Sequence, residues 1–579
     1  MKLRFALPAL APLVLLAACA TTGETAPQAG LRPQQDVAFG SSSPSSSYGL
    51  FLAGQAALND DDSVVATDYF VRAEQTGLDG AYFKEKAFIA ALMAGDIARA
   101  AALTPTDEDA RVVIQRLAAL TQVVAGIGEG DGKLAADTLA SGRVAVPHRQ
   151  AALLLAPWAA ALTGDKAASL ARPELHGDRL VAVFGQLGQA QLFERARRYD
   201  EAETDYMALA GIEGAGVLFV PDYGAFLERR GRWADALAVY DKALAQNPRD
   251  TGLRAARVRA ASKRGAPPPP TVRQGAARGL VAQAAQMLAD RNHEMAIAYF
   301  RMALYLDPTR DEARVLLGDA LTGARQPDGA REAYAAVKPT SPQYATARSK
   351  LAWTYQAAKD ANSALRIARE GYDAAPTDDD AAVTYADLLR ANDQFADSVA
   401  VMDGVIARAG DTPDWRLLYM RGVALERIGR WPEAERDLKA ALASEPGEPE
   451  LLNFLGYSWI DRGEHLSEAM DMVKRAVAAN PRSGPIVDSL GWAYYRLGDY
   501  RNAVEQLEAA VLLEPSDPEI NNHLGDAYWR VGRRIEAEFQ WRRVLSLDPP
   551  AKIRADAEAK LKGGMGPAEL APAPVASAN

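Results

Sequence analysis

Cys19 is the only cysteine in a chain of 579 residues, and only five histidines accompany it. One thiol cannot close an intramolecular disulfide, and so few imidazoles supply no ligand set for a zinc cluster. Other residues suited to chemistry are equally sparse. His523 stands three residues before Asp526, an acid–base spacing, but no nucleophile or metal-ligand pattern joins them, so packing explains the histidine better. The acidic runs Asp60–Asp62 and Asp378–Asp380 carry enough charge for calcium. Each also precedes a helical pattern, where carboxylates cap the first turn, and that is the stronger explanation. The stretch GIGEGDGK at 126–133 matches neither phosphate-binding glycine spacing and reads as a turn. No HExxH or GxSxG segment occurs. No catalytic residue, cofactor, metal or small-molecule substrate is therefore expected. With 65 Lys+Arg against 75 Asp+Glu, a net charge of -10 and no long basic run, nucleic acid is not an expected partner either.

What surrounds Cys19 suggests a different role for its thiol. Lys2 and Arg4 precede FALPALAPLVLLAA, an apolar segment with the layout of a secretory signal and too short for a comfortable membrane span. Leu16-Ala17-Ala18-Cys19 resembles a bacterial lipobox. That resemblance implies removal of residues 1–18, thioether lipidation of Cys19 and acylation of the new amino terminus. Two or three acyl chains hold a protein at a membrane where one holds it only marginally. Ala20, in place of an aspartate, resembles lipoproteins sorted to the outer membrane, which implies a lipid-anchored protein facing the periplasm. Residues 19–47 are poor in large apolar side chains and rich in Ser, Pro, Gly and Gln. Such a segment cannot bury enough surface to offset its ordering entropy, and random-coil scaling gives the tether a reach of roughly 30 Å.

The elements that follow repeat. Gly491, Ala503 and Pro515 are each twelve residues apart, and Gly525, Ala537 and Pro549 follow them by 34. Gly422, Ala434 and Pro446, then Gly318, Ala330 and Pro342, and Gly224, Ala236 and Pro248 keep the same spacing. Alanine takes the glycine position in the copies marked by Ala284 and Ala352, and one copy is stretched by a residue in DRGEHLSEA. Apolar residues recur at the helical period between these landmarks. Small residues stand where two antiparallel helices approach closest, and the proline ends the second helix. No such unit buries its apolar face alone, so neighbours must stack.

This pattern resembles the tetratricopeptide repeat (TPR) family, with ten copies over residues 183–551. The resemblance implies an all-α superhelical solenoid of antiparallel helix pairs whose first helices line a groove that holds protein or peptide. Residues 48–182 read as degenerate helical repeats, 183–250 as TPR repeats, 251–276 as a helix and a Pro-rich linker, 277–551 as the main array, and 552–579 as a capping helix and a tail. The run Pro267–Pro270 is either a hinge between two arrays or a long surface loop. By the family's geometry the groove face carries Tyr419, Asn453, Tyr457, Asp488, Trp492, Tyr495, Asn522, Asp526 and Trp529. Rings supply contact area and Asn or Asp can bond a peptide backbone. The same rings could instead fill space between successive repeats. TPR domains that clamp a C-terminal carboxylate use Lys, Arg and Asn here, so Asp and aromatics argue against a carboxylate clamp.

The C-terminal run LLNFLGYSWIDRGEHLSEAMDMVKRAVAANP, with IVDSLGWAYYRLGDY and INNHLGDAYWRVGRRIEAEFQWRRVLSLDP after it, is similar to a group of large bacterial TPR lipoproteins. That similarity covers about the last hundred residues. It implies an adaptor that binds a periplasmic carboxy-terminal processing protease and brings cell-wall hydrolases to it. The alternative class is a structural subunit of an outer-membrane protein-assembly or polysaccharide-export complex.

Overall fold

The computed structural model describes residues 46–76, 80–105, 110–172, 179–247 and 250–566. Cys19, the signal segment, nearly all of the expected tether, Pro248 and the end of the tail lie outside them. Among the described residues the secondary structure is helical, without strands, and it forms two compact units that divide between Thr354 and Tyr355.

The hairpins with a landmark glycine are built around a missing side chain. A Cβ on Gly224 would lie 2.3 Å from the Tyr240 ring, one on Gly318 would lie 2.4 Å from Tyr334, and one on Gly491 would lie 2.6 Å from Leu507. In all three the intruding side chain comes sixteen residues later, on the second helix. The landmark alanines, among them Ala236, Ala330 and Ala503, are fully buried beside these contacts. The stretched copy keeps the arrangement by placing its extra residue in the turn. There Gly463 and His465 both adopt left-handed backbone, and the residue against Gly456 becomes Val473.

Helix starts account for the acidic runs. Asp62 accepts a hydrogen bond from the Val65 amide at 3.0 Å, and Asp378 accepts from Asp380 and Ala381 at 3.0 and 3.1 Å. In the Gly-rich stretch, Gly130 ends the helix Val112–Glu129 in left-handed conformation and Asp131 caps the helix Gly132–Ala140. Replacing Asp378 by Ala should cost about 1 kcal/mol in urea denaturation. Added calcium should leave wild type and variant equally unchanged.

Within the span read as degenerate repeats, 48–182, the second helices are truncated: Gly132–Ala140 has nine residues and Lys166–Leu170 five. The chain then does something its period does not announce. After the helix Thr251–Ala261, residues 265–271 form an extended strap inside the first unit, not at the division between units. The strap is pinned where the carbonyls of Pro267 and Pro270 accept hydrogen bonds from Arg229 and Arg195 at 3.0 and 3.1 Å. It delivers the hairpin Val272–Ala289/His293–Leu306 across the earlier first helices Gly80–Ala94, Val112–Glu129, Arg149–Thr163 and Arg179–Arg195. Glycines let it settle there: a Cβ on Gly275 would meet the Trp158 ring at 2.2 Å, and one on Gly128 would meet Tyr305 at 2.2 Å. His148, at the start of Arg149–Thr163, is fully buried and its Nδ1 lies 2.8 Å from the Tyr299 hydroxyl. Burial, with help from Arg116, pushes that imidazole down to about 4.

A second device repeats at the same period and links neighbouring hairpins. Glu194 is almost fully buried, and it accepts from Tyr206 Oη at 3.1 Å and from Arg229 Nε and a terminal guanidinium nitrogen at 2.6 and 2.8 Å. One period later Glu228 accepts from Tyr240 at 2.7 Å and from Arg259 at 3.0 and 2.8 Å. A buried carboxylate is tolerated because each of its oxygens is bonded.

Candidate protein-binding surface

The first-helix face of the repeats is where the family geometry places a groove, and the two units treat it differently. In the first unit that face, along residues 80–195, is covered by the hairpin Val272–Ala289/His293–Leu306. In the second unit the helix Pro449–Arg462 makes its substantial contacts with the helices before and after it and with the next first helix, Gly484–Arg496. Tyr419, Asn453 and Tyr457 are half-buried on this face, with Phe454 edge-on to Tyr419 at 5.8 Å between ring centroids.

Toward the C-terminus the same positions serve as a packing seam. Trp492 is half-buried between two rings, stacked on Tyr495 at 4.6 Å and on His523 of the next repeat at 4.0 Å. Its indole Nε1 is buried without a hydrogen-bond partner. Tyr495 is buried and its hydroxyl accepts from Arg530 at 3.1 Å. Asp488 is buried and holds His523 Nδ1 at 3.0 Å from both carboxylate oxygens. The expectation of a continuous open stripe therefore fails at Asp488, Tyr495, Asn522 and Asp526, all of them buried. The physical reason is that first helices of adjacent repeats pack side by side, so large side chains at equivalent positions interdigitate before they can face a partner.

The end of the array is covered as well. Helix Ala551–Gly563 packs on the last hairpin. Its Lys560 Nζ donates to Asp526 at 2.8 Å and to Asn522 at 3.3 Å, while Asn522 donates to Asp556 at 2.9 Å. Trp541 donates its indole N–H to the other Asp526 oxygen at 3.0 Å. Trp529 is half-buried, with its ring against Gly564.

The His523–Asp526 spacing noticed in the sequence is thus not the operative pair. His523 pairs with Asp488, and Asp526 pairs with Lys560 and Trp541. Burial alone would lower the His523 pKa, but the facing Asp488 carboxylate overrides it and raises the imidazole to about 9. A histidine whose folded pKa exceeds its unfolded value of about 6.5 contributes stability that is complete below that value. That stability is lost as pH rises through about 9. Urea denaturation should therefore show a decline on the order of 2 kcal/mol between pH 6 and 10. In a His523→Asn variant this decline should flatten. Among the described residues no group of three or more His, Cys, Asp or Glu side chains is placed to hold a metal ion.

Missed by reading the sequence were Phe454, edge-on to Tyr419, and the buried Glu194 and Glu228 ladder. The ladder had a signal, because Glu194 and Glu228, like Tyr206 and Tyr240, are 34 apart.

Family models described as tetratricopeptide repeat match residues 220–260, 355–420 and 419–484, and one described as TPR repeat matches 491–532. A relative, the TPR repeat-containing protein PA4667 of Pseudomonas aeruginosa, is 36% identical over 94 residues, which is 16% of this chain and 16% of that protein. Among solved structures, the crystal structure of the APC/C hetero-tetramer Cut9-Hcn1 is similar at 16% identity over 90% of this chain and 96% of that chain, with a TM-score of 0.39. MamA from Desulfovibrio magneticus RS-1 is 22% identical over 30% of this chain and 96% of its own, with a TM-score of 0.26. Helical hairpins at a constant period, with a glycine or alanine where the helices cross, coincide with these sequence matches, and the chain carries tetratricopeptide repeats and is helical, without strands, among its described residues.

Proposed function

We propose that this protein is a non-catalytic scaffold, anchored through lipidated Cys19 at the periplasmic face of the outer membrane, that holds other proteins on the first-helix face of its second unit. The observation that carries this reading is the contrast between the two faces. The chain covers that of the first unit with its own hairpin, while Tyr419, Asn453, Phe454 and Tyr457 of the second stay half-buried. Half-buried rings around an amide suit an extended segment, which gains contact area from the rings and a backbone hydrogen bond from the amide. Asn453 Oδ1 is buried and has no hydrogen-bond partner within the chain, so engaging it requires the side chain to turn outward. TPR repeats are typically protein-interaction scaffolds without catalysis, which agrees with the absence of any catalytic motif in the sequence.

The similarity of the C-terminal repeats to adaptor lipoproteins supports a finer assignment. The partner would be a carboxy-terminal processing protease of the cell envelope, brought together with cell-wall hydrolases. Affinity capture from detergent-solubilised envelopes should recover the protease and at least one hydrolase. Stable recovery of a β-barrel protein instead would favour the reading as a subunit of an assembly or export complex.

A further inference from the structure

We infer that the turn edge of the hairpins between residues 195 and 264 is a docking surface for an anionic phospholipid membrane. Three consecutive turns lie together on this edge. The helix Arg179–Arg195 ends there, as do Val220–Arg229 and Thr251–Ala261. Their adjacency is fixed by Glu194–Arg229, Glu228–Arg259 and the strap bonds to Arg195 and Arg229.

Arg197, Arg230, Lys263 and Arg264 are all exposed on it. Among the described residues none of these four forms an ion pair with a carboxylate, and Arg230 lies over the Tyr199 ring at 3.7 Å. The other cations of the edge are accounted for. Arg198 pairs with Glu201, and Arg232 pairs with Glu203 and Asp235. The edge therefore carries an excess of positive charge on a chain whose net charge is -10.

Two of the four cations occupy left-handed backbone, Arg197 at φ 62° and Lys263 at φ 52°, while the equivalent position of the middle turn is Gly231 at φ 73°. Glycine takes that conformation without the Cβ clash that other residues suffer. Arg291, Arg325 and Lys359 take the same conformation at later turns, so this backbone is common to the turns and the edge is marked by its unpaired cations instead.

Helix C-termini attract cations through the macrodipole, and one cation per turn would need no further account. Four unpaired cations over three turns exceed that need. The edge is built of turns, and its exposed cations are spread over three of them. Such a surface fits laterally mobile headgroup phosphates better than a ligand of fixed shape. Each Lys or Arg held near an anionic leaflet raises partitioning about fivefold, and salt screens the effect within a Debye length.

The test uses the full chain with Cys19→Ser, so that acylation cannot supply the attachment and the result stands apart from the proposed anchor and partner. Flotation with vesicles of phosphatidylcholine containing 30% phosphatidylglycerol (about one anionic lipid in three, a strongly charged leaflet) should capture the protein. Pure phosphatidylcholine should not. Capture should fall at least tenfold on raising the salt to about 0.5 M. It should fall as much in Arg197→Gly/Arg230→Gln/Lys263→Asn/Arg264→Gln, with circular dichroism unchanged. A control variant, Arg534→Gln/Arg542→Gln, should bind like the parent. Equal capture by neutral vesicles, equal loss in the control variant, or full capture of the folded quadruple variant would overturn the inference. Retention on immobilised polyglutamate without capture by anionic vesicles would also overturn it, in favour of an acidic polypeptide.

Discussion

Glu194→Ala should lower the stability of the first unit by roughly 3–5 kcal/mol, the largest effect expected of any single truncation. The reason lies in what remains behind. Arg229 is mostly buried, with its side chain 15% exposed, and Glu194 is the carboxylate that compensates it. Removing the carboxylate leaves a guanidinium in a poorly hydrated site and orphans the Tyr206 hydroxyl. Burial and the neighbouring Glu194 already push that phenol well above its ordinary range. Glu194→Gln fills the same space and keeps one oxygen that can accept from Tyr206 and from one Arg229 N–H, but it loses the charge and turns an amide NH2 toward the other Arg229 N–H, so it should cost less than Glu194→Ala. Urea denaturation of the two variants measures the difference. Equal losses would mean that the carboxylate acts through its charge alone, with nothing gained from its volume or from a neutral acceptor.

Gly275→Leu is expected to lift the hairpin Val272–Ala289/His293–Leu306 off the first helices beneath it. Even the first added carbon would fall 2.2 Å from the Trp158 ring, which is buried with 2% exposure. A ring so enclosed can move only by displacing its neighbours, and overpacking of this kind costs about 3 kcal/mol. Hydrogen exchange should accelerate in residues 149–163 and 179–195, where the hairpin rests, and stay unchanged in 484–496. Gly80→Ala, where an added Cβ meets nothing within 4 Å, should leave exchange as it is. A second consequence follows for His148, which sits under the same hairpin with its pKa depressed to about 4. The unfolded imidazole takes up a proton near pH 6.5 and the folded one does not. Stability of the seated hairpin should therefore fall as pH drops from 6.5 toward 4, and Gly275→Leu should blunt that dependence.

The period of thirty-four made the repeats legible because each landmark has one local cause: a glycine where a side chain crosses, a proline where a helix ends. The acidic runs were legible for the same reason, since a cap acts within three residues. What the sequence could not carry was which face the chain would cover. Trp492 and Tyr495 have the spacing of an outward stripe, but helical spacing defines a direction and does not say what lies there. His523, 31 residues beyond Trp492, supplies the ring that closes the seam. Gly275 and Gly279 each make room for a residue more than a hundred positions earlier, Trp158 and Leu154, a contact that no local pattern announces. The strap at Pro267–Pro270 has the composition of a linker, and its role depends on Arg195 and Arg229, distant in sequence and facing its carbonyls. The anchor expected at Cys19 lies outside the described residues and stands on its sequence neighbourhood.

The most direct test of the scaffold account places a photoreactive amino acid at half-buried Tyr457, on the first-helix face of the second unit, and for comparison at Leu154, beneath the inserted hairpin. After irradiation in intact cells, mass spectrometry identifies the crosslinked chains. The account predicts that Tyr457 captures a second protein, and that Leu154 yields only crosslinks within this chain, to residues 272–289. Capture of a partner from Leu154, with none from Tyr457, would contradict it.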